Sequence, residues 1–415
     1  MKLGLIGFPL GHSWSPKIHE FFLKEDCYQL NELKEEDLPS FFASCDLDGF
    51  NVTIPYKQKV MQYLDAIDPL AEKIGAVNTV VHKDGKYYGY NTDYEGFIGM
   101  LEGNGIDVRG KHAAVLGSGG VSKAITAGLE QLGCTYDIVS RHPKEGQISY
   151  DALTTHQSEY QVLINATPVG MAPKEDASPV DLSLFSNLYA VVDAIANPLC
   201  TDLCFEAKIR GIKTCGGFEM LVRQALAADR WFTGHEMDEA QVMPCMNHLL
   251  AEKRNIVLIG MPTCGKSAIS RQLARKLGRE RIEMDAEIEK KLGTTIAECF
   301  ESHGEEYFRD VETAVAKAIP ASGVVVSCGG GVIKRKENMR ALSRNSIVIW
   351  IDRDIERLFA SNDRPLSSSK AAVRKLYDER RHLYEAYSDV RIKNNGTLQS
   401  AVNRILRVLE HGSAS

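Results

Sequence analysis

The stretch IVLIGMPTCGKSAI, Ile256–Ile269, restricts the fold around it more tightly than any other part of the chain. An apolar run, a turn bounded by Gly260 and Gly265, and then Lys266 and Ser267 complete the spacing G-x-x-x-x-G-K-S. That pattern needs a buried strand leading into a loop of backbone N–H groups and a helix leading out, which belongs in a parallel α/β sheet. About 250 residues precede it, and they carry a second glycine-rich strand-to-helix turn, VLGSGGVSKA, with Gly117, Gly119 and Gly120. Two phosphate-type turns so far apart call for two sheets.

The remaining sequence has the same rhythm. Short apolar runs (MKLGLIG, HAAVLGSGG, TYDIVSR, YQVLINAT, LYAVVDAI, NIVLIG, GVVVSCGG and SIVIWID) alternate with helical patterns, which predicts parallel sheets covered on both faces. The 415 residues exceed what one core usually organises. Near Ala251–Asn255 the pattern restarts after a helix-like DEAQVMPCMNHLLAEK, expected to break at Pro244, with no Gly/Ser-rich linker between the halves.

Composition narrows the class. No apolar run approaches the roughly 18 residues of a membrane span, and the start lacks a signal-peptide pattern. Ten scattered cysteines without a second pair at zinc spacing predict free thiols in a reducing cytoplasm. The net charge of −6 conceals an asymmetry, because from Ala251 onward 29 Lys and Arg face 22 Asp and Glu. The basic residues form no run with interleaved aromatics, so small anionic substrates are the expected partners rather than nucleic acid.

In the first half, the strand after the glycine turn ends in IVSRHPK. An acidic residue there would hold a ribose 2′-hydroxyl, whereas Ser140 and Arg141 suit a 2′-phosphate, and the expected cofactor is NADP(H). Upstream polar clusters fit a core poorly: GFPLGHSWSP sets Ser13 and Ser15 two apart, NVTIPYK ends in Lys57, and GYNTDYEG carries Asp93. Taken singly, each reads as an N-cap serine, a solvated lysine or an Asx-turn aspartate.

Together, GFPLGHSWSP, NVTIPYK, GAVNTV, GYNTDYEG, VLGSGGVSKA, INATPVGM and GGFEMLVRQA resemble the ordered motifs of shikimate dehydrogenases over residues 1–250. The resemblance implies NADPH-dependent reduction of 3-dehydroshikimate to shikimate. It implies further that Ser13 and Ser15 hold the substrate carboxylate and that Thr53, Asn78 and Gln224 bind its hydroxyls. Lys57 and Asp93 would be the catalytic pair, a cation with a transferable proton beside the oxygen that gains charge. Ala196 stands where the family usually has a tyrosine that reaches the carboxylate, which opens quinate as an alternative substrate.

In the second half, Lys266 would neutralise the transferring phosphoryl group and Ser267 would ligate Mg²⁺, with ATP as the nucleotide. Downstream, IEMDAEIEKKLGTTIAECFESHGEEYFRDVE, VVSCGGGVI, NDRPL and ERRHLYEAY resemble shikimate kinases over residues 254–415. This implies ATP-dependent phosphorylation of the shikimate 3-hydroxyl. By position, Asp285 would bind the acceptor hydroxyl and help remove its proton, while Arg309 and Arg380 would grip the carboxylate. Glu312 would orient Arg309, Gly330 would offer a backbone N–H, and Arg364 would close over the phosphates from a lid in NDRPLSSSK. Glu283 stands where the family has an aspartate that helps hold Mg²⁺ through water.

The expected fold class is therefore α/β: an N-terminal α/β substrate domain plus a Rossmann NADP-binding domain, then a P-loop kinase domain with a parallel sheet. The expected boundaries are 1–95, completed by helices from about 218–250, then 96–217 and 254–415. The expected function is a bifunctional enzyme of consecutive steps. Alternatives are a quinate/shikimate dehydrogenase fused to another small-molecule kinase, and a non-catalytic regulatory homologue. No membrane partner is expected, and assembly into a homo-oligomer is left open.

Overall fold

A computed structural model describes residues 1–11, 13–358 and 370–411. Contacts divide the chain into two compact units: Met1–Ala207 with Ile212–Met246, and Lys208–Gly211 with Asn247–Ser415. Among the described residues no helix is long and apolar enough to cross a membrane.

The first unit holds two six-stranded sheets. In chain order the strands of the first are β1 (Leu3–Gly7), β2 (Tyr28–Glu32), β3 (Gly49–Val52), β4 (Ala66–Ile67), β5 (Thr79–Lys83) and β6 (Lys86–Tyr90). They are arranged β2-β1-β3-β5-β6-β4. β1 pairs in parallel with β2 and β3, but β5 runs antiparallel to both β3 and β6, so this sheet is mixed rather than parallel. The cause is local. Asp84 and Gly85 both take positive φ (54° and 71°) and close a two-residue hairpin, and a tight hairpin can join only antiparallel strands. Phe50, Val52, Tyr56 and Val80 pack the core on one side.

The second sheet is β7 (His112–Leu116), β8 (Thr135–Val139), β9 (Gln147–Ile148), β10 (Val162–Asn165), β11 (Ala190–Asp193) and β12 (Lys213–Cys215), ordered β12-β11-β10-β7-β8-β9. Every pairing is parallel. The order reverses between β7 and β10, and a ligand crevice forms at such a switch point, beyond the strands' carboxyl ends. The central strands are buried on both faces, which is why they read as unbroken apolar runs. The helix Phe218–Thr233 returns to pack on Asp93–Gly103 of the substrate domain: a Cβ on Gly96 would stand 2.7 Å from the Met220 carbonyl. Pro244 does not break the following helix, Val242–Leu250. It occupies the first turn, where its missing N–H has no intrahelical partner to lose.

The second unit is a five-stranded parallel sheet, β13 (Asn255–Ile259), β14 (Arg281–Glu283), β15 (Val325–Ser327), β16 (Ser346–Asp352) and β17 (Val390–Lys393), ordered β14-β15-β13-β16-β17. The glycine-bounded turn leaves the central strand β13, flanked by β15 and β16, so the loops after β14 and β15 lie to one side of it.

Candidate functional site

In the first unit a cavity of about 510 Å³ is lined by Ser13, Ser15, Thr53, Lys57, Asn78, Asp93 and Gln224 among others. These seven come from five segments, Ser13 with Ser15, Thr53 with Lys57, and Asn78, Asp93 and Gln224 each alone, and the fold brings all of them to one cavity. Lys57 Nζ donates to Asp93 Oδ2 at 2.6 Å, with both side chains mostly shielded. Asp93 opens the helix Asp93–Gly103, where the uncapped helix N-terminus favours a carboxylate. Its second oxygen accepts from Asn78 Nδ2 at 2.9 Å, and the same nitrogen lies 3.3 Å from Gln224 Oε1. Ser13 Oγ donates to Ser15 Oγ at 3.1 Å. Part of the cavity wall is apolar, with Val121, Met171, Ala194, Ala196 and Met220. Ala194 and Ala196 follow β11, and Met220 lies on the returning helix that also carries Gln224.

Asp193, at the end of β11, fixes that wall. Its carboxylate accepts from Ile195 N (2.9 Å), Asn165 Nδ2 (3.1 Å) and the Thr201 hydroxyl (2.7 Å), which pins the loop carrying Ala194 and Ala196. Burial pushes this carboxyl up to about 6, against the pull of its three donors.

The residues that would receive a dinucleotide fit one. Gly117 takes φ 103°, and a Cβ there would stand 3.0 Å from the Ala166 carbonyl, so only glycine allows the turn. Gly119 caps the helix Gly120–Gln131 without any side-chain hydrogen bond, leaving the first amides for an anion, and a Cβ on Gly119 or Gly120 would meet open space. At the end of β8, Arg141 is exposed. Ser140 is largely buried and its hydroxyl accepts from His142 N at 3.2 Å.

In the second unit Gly260 takes φ 146°, and Gly265 (φ 104°) caps the helix Lys266–Leu277. Lys266 is buried, its ammonium held by the carbonyls of Gly260 and Met261, each at 2.9 Å. Ser267 Oγ donates to Glu283 Oε1 at 3.3 Å. A hydroxyl beside a carboxylate is a hard-oxygen donor set suited to Mg²⁺, which takes most of its remaining ligands from phosphates and water. Glu283 is also paired with Arg281, a competitor for its charge that no motif marks.

The residues expected to hold the acceptor converge at the triple glycine after β15. A Cβ on Gly329 would stand 2.6 Å from Asp285 Oδ1, one on Gly330 2.8 Å from Pro262, and one on Gly331 2.6 Å from the Arg309 guanidinium. Arg309 Nη1 donates to Glu312 at 2.7 Å, and Nε and Nη2 donate to Glu305 at 3.2 and 3.0 Å. Burial holds the Glu312 carboxyl above its usual range despite the guanidinium, whereas Lys334, hydrogen-bonded to Glu305, lowers that carboxyl. Arg380 Nη1 and the Tyr384 hydroxyl both donate to the Gly330 carbonyl, at 2.9 and 2.7 Å. Sequence reasoning misses Tyr384. Its position four residues after Arg380 on the helix Lys370–Tyr387, one turn along the same face, is the available signal. Arg364 and its lid lie outside the described residues.

A dinucleotide-type turn and a lysine–carboxylate cavity in the first unit, with a phosphate loop in the second, define the class: a Rossmann-type oxidoreductase joined to a P-loop phosphotransferase. Sequence comparison agrees. A family model described as shikimate dehydrogenase substrate binding domain matches residues 5–80, and one described as shikimate kinase matches residues 262–410. Shikimate dehydrogenase (NADP(+)) of Clostridium beijerinckii is 42% identical over 250 residues, covering 57% of this chain and 93% of that protein. The crystal structure of shikimate dehydrogenase 1 from Peptoclostridium difficile matches with a TM-score of 0.56 at 36% identity, over 60% of this chain and 98% of that one. Shikimate 5-dehydrogenase from Thermus thermophilus, solved with NADP(H) and shikimate, matches with a TM-score of 0.56 at 32% identity, over 60% and 99%. The chain belongs to the shikimate dehydrogenase family and continues into a shikimate kinase domain, which makes it a bifunctional shikimate-pathway enzyme.

Proposed function

We propose that the first unit reduces 3-dehydroshikimate to shikimate with NADPH and that the second transfers the ATP γ-phosphoryl group to the shikimate 3-hydroxyl. The observation that carries the first half is the Lys57–Asp93 pair, 2.6 Å apart in a cavity lined by all seven expected substrate-site residues. NADPH, when bound, supplies the hydride. The chain's own part is to hold and protonate: the hydroxyls of Ser13 and Ser15 take the carboxylate, and Thr53, Asn78 and Gln224 take the ring hydroxyls. Lys57 gives its proton to the ketone oxygen as charge grows there, and Asp93 keeps the ammonium aimed.

For the second half, the convergence of Asp285, Arg309 and Arg380 on one glycine loop supports an acceptor that carries both a carboxylate and hydroxyls. Guanidinium forks select a planar carboxylate by bidentate geometry. Asp285 accepts the proton of the reacting hydroxyl, and Lys266 balances charge on the phosphates. Ser267 and Glu283 are the residues that would hold Mg²⁺. Ten free cysteines support a reducing, cytoplasmic setting.

The test supplies 3-dehydroshikimate, NADPH and Mg·ATP to the pure protein and follows NADPH loss and ADP formation separately. Both are expected, with ADP forming only after shikimate appears or is added. Absence of both signals supports a regulatory homologue instead. The presence of Ala196 on the cavity wall favours one second reading, turnover of the bulkier quinate with NAD, which the same assay run in the oxidative direction measures.

A further inference from the structure

A loop that cradles phosphate must turn N–H groups toward the anion and keep its carbonyls turned away or neutralised. In the second unit Lys266 covers the carbonyls of Gly260 and Met261, each at 2.9 Å. The Cys264 carbonyl has a different partner. Asn394, 130 residues further along the chain, donates to it through Nδ2 at 2.8 Å. A carbonyl can only accept, so the Asn394 amide must present its NH₂ there.

The direction of that carbonyl fixes the next N–H. The Cys264–Gly265 peptide is trans, so the Gly265 N–H points opposite to the Cys264 carbonyl and away from Asn394. Among the described residues this N–H has no hydrogen-bond acceptor. It precedes the first amides of the helix Lys266–Leu277, which no side chain caps, and such an array is what an anion meets. The loop does not take this shape by local preference. Thr263 holds φ 63°, which is costly for a β-branched residue, and Gly265 holds φ 104°. Contact with Asn394 is also close. A Cβ on Gly265 would stand 2.6 Å from Asn394 Nδ2, so glycine serves the approach as well as the turn.

Asn394 is itself anchored. It follows β17, is buried, and its backbone N–H donates at 2.6 Å to the carbonyl of Asp352, the last residue of β16. The Asp352 carboxylate accepts from Arg391 Nε at 3.1 Å and from Nη2 at 2.7 Å. The same guanidinium lies 4.5 Å from the centre of the Trp350 ring. Two paired strands, tied together by side chains as well as by backbone, thus hold the Asn394 amide against the loop.

We propose that Asn394 is a positioning residue of the phosphate loop. By holding the Cys264 carbonyl it keeps the Gly265 N–H turned toward the phosphates of a bound nucleotide. This rests on the reading of the second unit as an ATP-dependent kinase, and not on the identity of the acceptor.

The test is calorimetric binding, to the full-length protein in excess Mg²⁺, of ADP and of inorganic tripolyphosphate, which has no base. Asn394→Leu keeps the approximate size of the side chain but cannot donate. Asn394→Asp keeps its shape but sets oxygen against oxygen. Each variant is expected to weaken both probes by a common factor of about 10–100-fold, the scale of one hydrogen bond to a charged group. A merely structural role would lower the melting temperature and leave the affinity of the folded protein unchanged. Wild-type affinity for both probes in a folded variant therefore overturns the proposal. So does a loss confined to ADP, which would place the action of Asn394 at the base. Where one variant does not fold, the comparison is read from the other. A wild-type protein that binds neither probe overturns the kinase reading, and the proposal with it.

Discussion

Asp193 should impose a measurable pH dependence on the stability of the first unit. Its carboxyl titrates near 6 in the folded protein, against an ordinary value of 3.8. The folded state thus holds this proton more tightly than the unfolded one. The stabilisation is complete below the ordinary value and is lost as pH rises through about 6. A difference of about two pKa units corresponds to about 3 kcal/mol over the whole window, of which about 1 kcal/mol falls between pH 5 and pH 7.5. Asp193→Asn removes the titration while keeping the size of the side chain, although its NH₂ must then face the Thr201 hydroxyl or the Asn165 amide. Urea unfolding can be followed by fluorescence, because Trp14 and Trp231 report the first unit and Trp350 the second. Asp229, whose carboxyl burial also raises, contributes a slope of the same sign in both proteins, so the difference between wild type and variant isolates Asp193. A variant whose stability falls with pH as steeply as the wild type would refute this reasoning.

Three other outcomes follow from the two sites. Lys57→Met should lower dehydrogenase kcat by roughly 10²–10⁴-fold while leaving ADP formation from added shikimate intact, which separate NADPH and ADP assays would register. Arg309→Lys keeps the charge but loses the fork, and should raise the kinase KM for shikimate by about 10–100-fold with KM for ATP unchanged. Ala196→Tyr should narrow the cavity and improve kcat/KM for shikimate relative to quinate, measured as a ratio on one preparation.

The parallel sheets are legible because their central strands are buried on both faces. Each of the eight apolar runs marks a strand, from MKLGLIG at β1 to SIVIWID at β16. The strands that leave no such mark are short, half exposed or polar. β2, YQLNE, has one buried residue, and β14 spans three residues, none fully buried. The antiparallel turn of the first sheet is written in Asp84–Gly85, but two residues of turn chemistry are easily passed over beside long apolar runs. Pro244 looks like a breaker in sequence because its place in the first turn depends on where the helix starts, which sequence sets only loosely. In the sites, residues that would touch ligand carry motif spacing, whereas the groups behind them do not. Tyr384 sits within the ERRHLYEAY stretch, but its hydrogen bond to the Gly330 carbonyl exists only once that helix has met the glycine loop.

The three glycines after β15 have a consequence for how this enzyme tolerates change. On the proposed assignment each leaves room for a different part of the chemistry: Asp285 at the acceptor hydroxyl, Pro262 in the phosphate loop, Arg309 at the carboxylate. A single methyl group thus lands on a different kinetic parameter depending on which of three successive codons it enters. The loop is in effect a three-way junction between proton acceptance, nucleotide seating and acceptor choice. Exchange of Gly329 or Gly331 presses on the tip of one side chain, whereas exchange of Gly330 presses on the ring and backbone of Pro262.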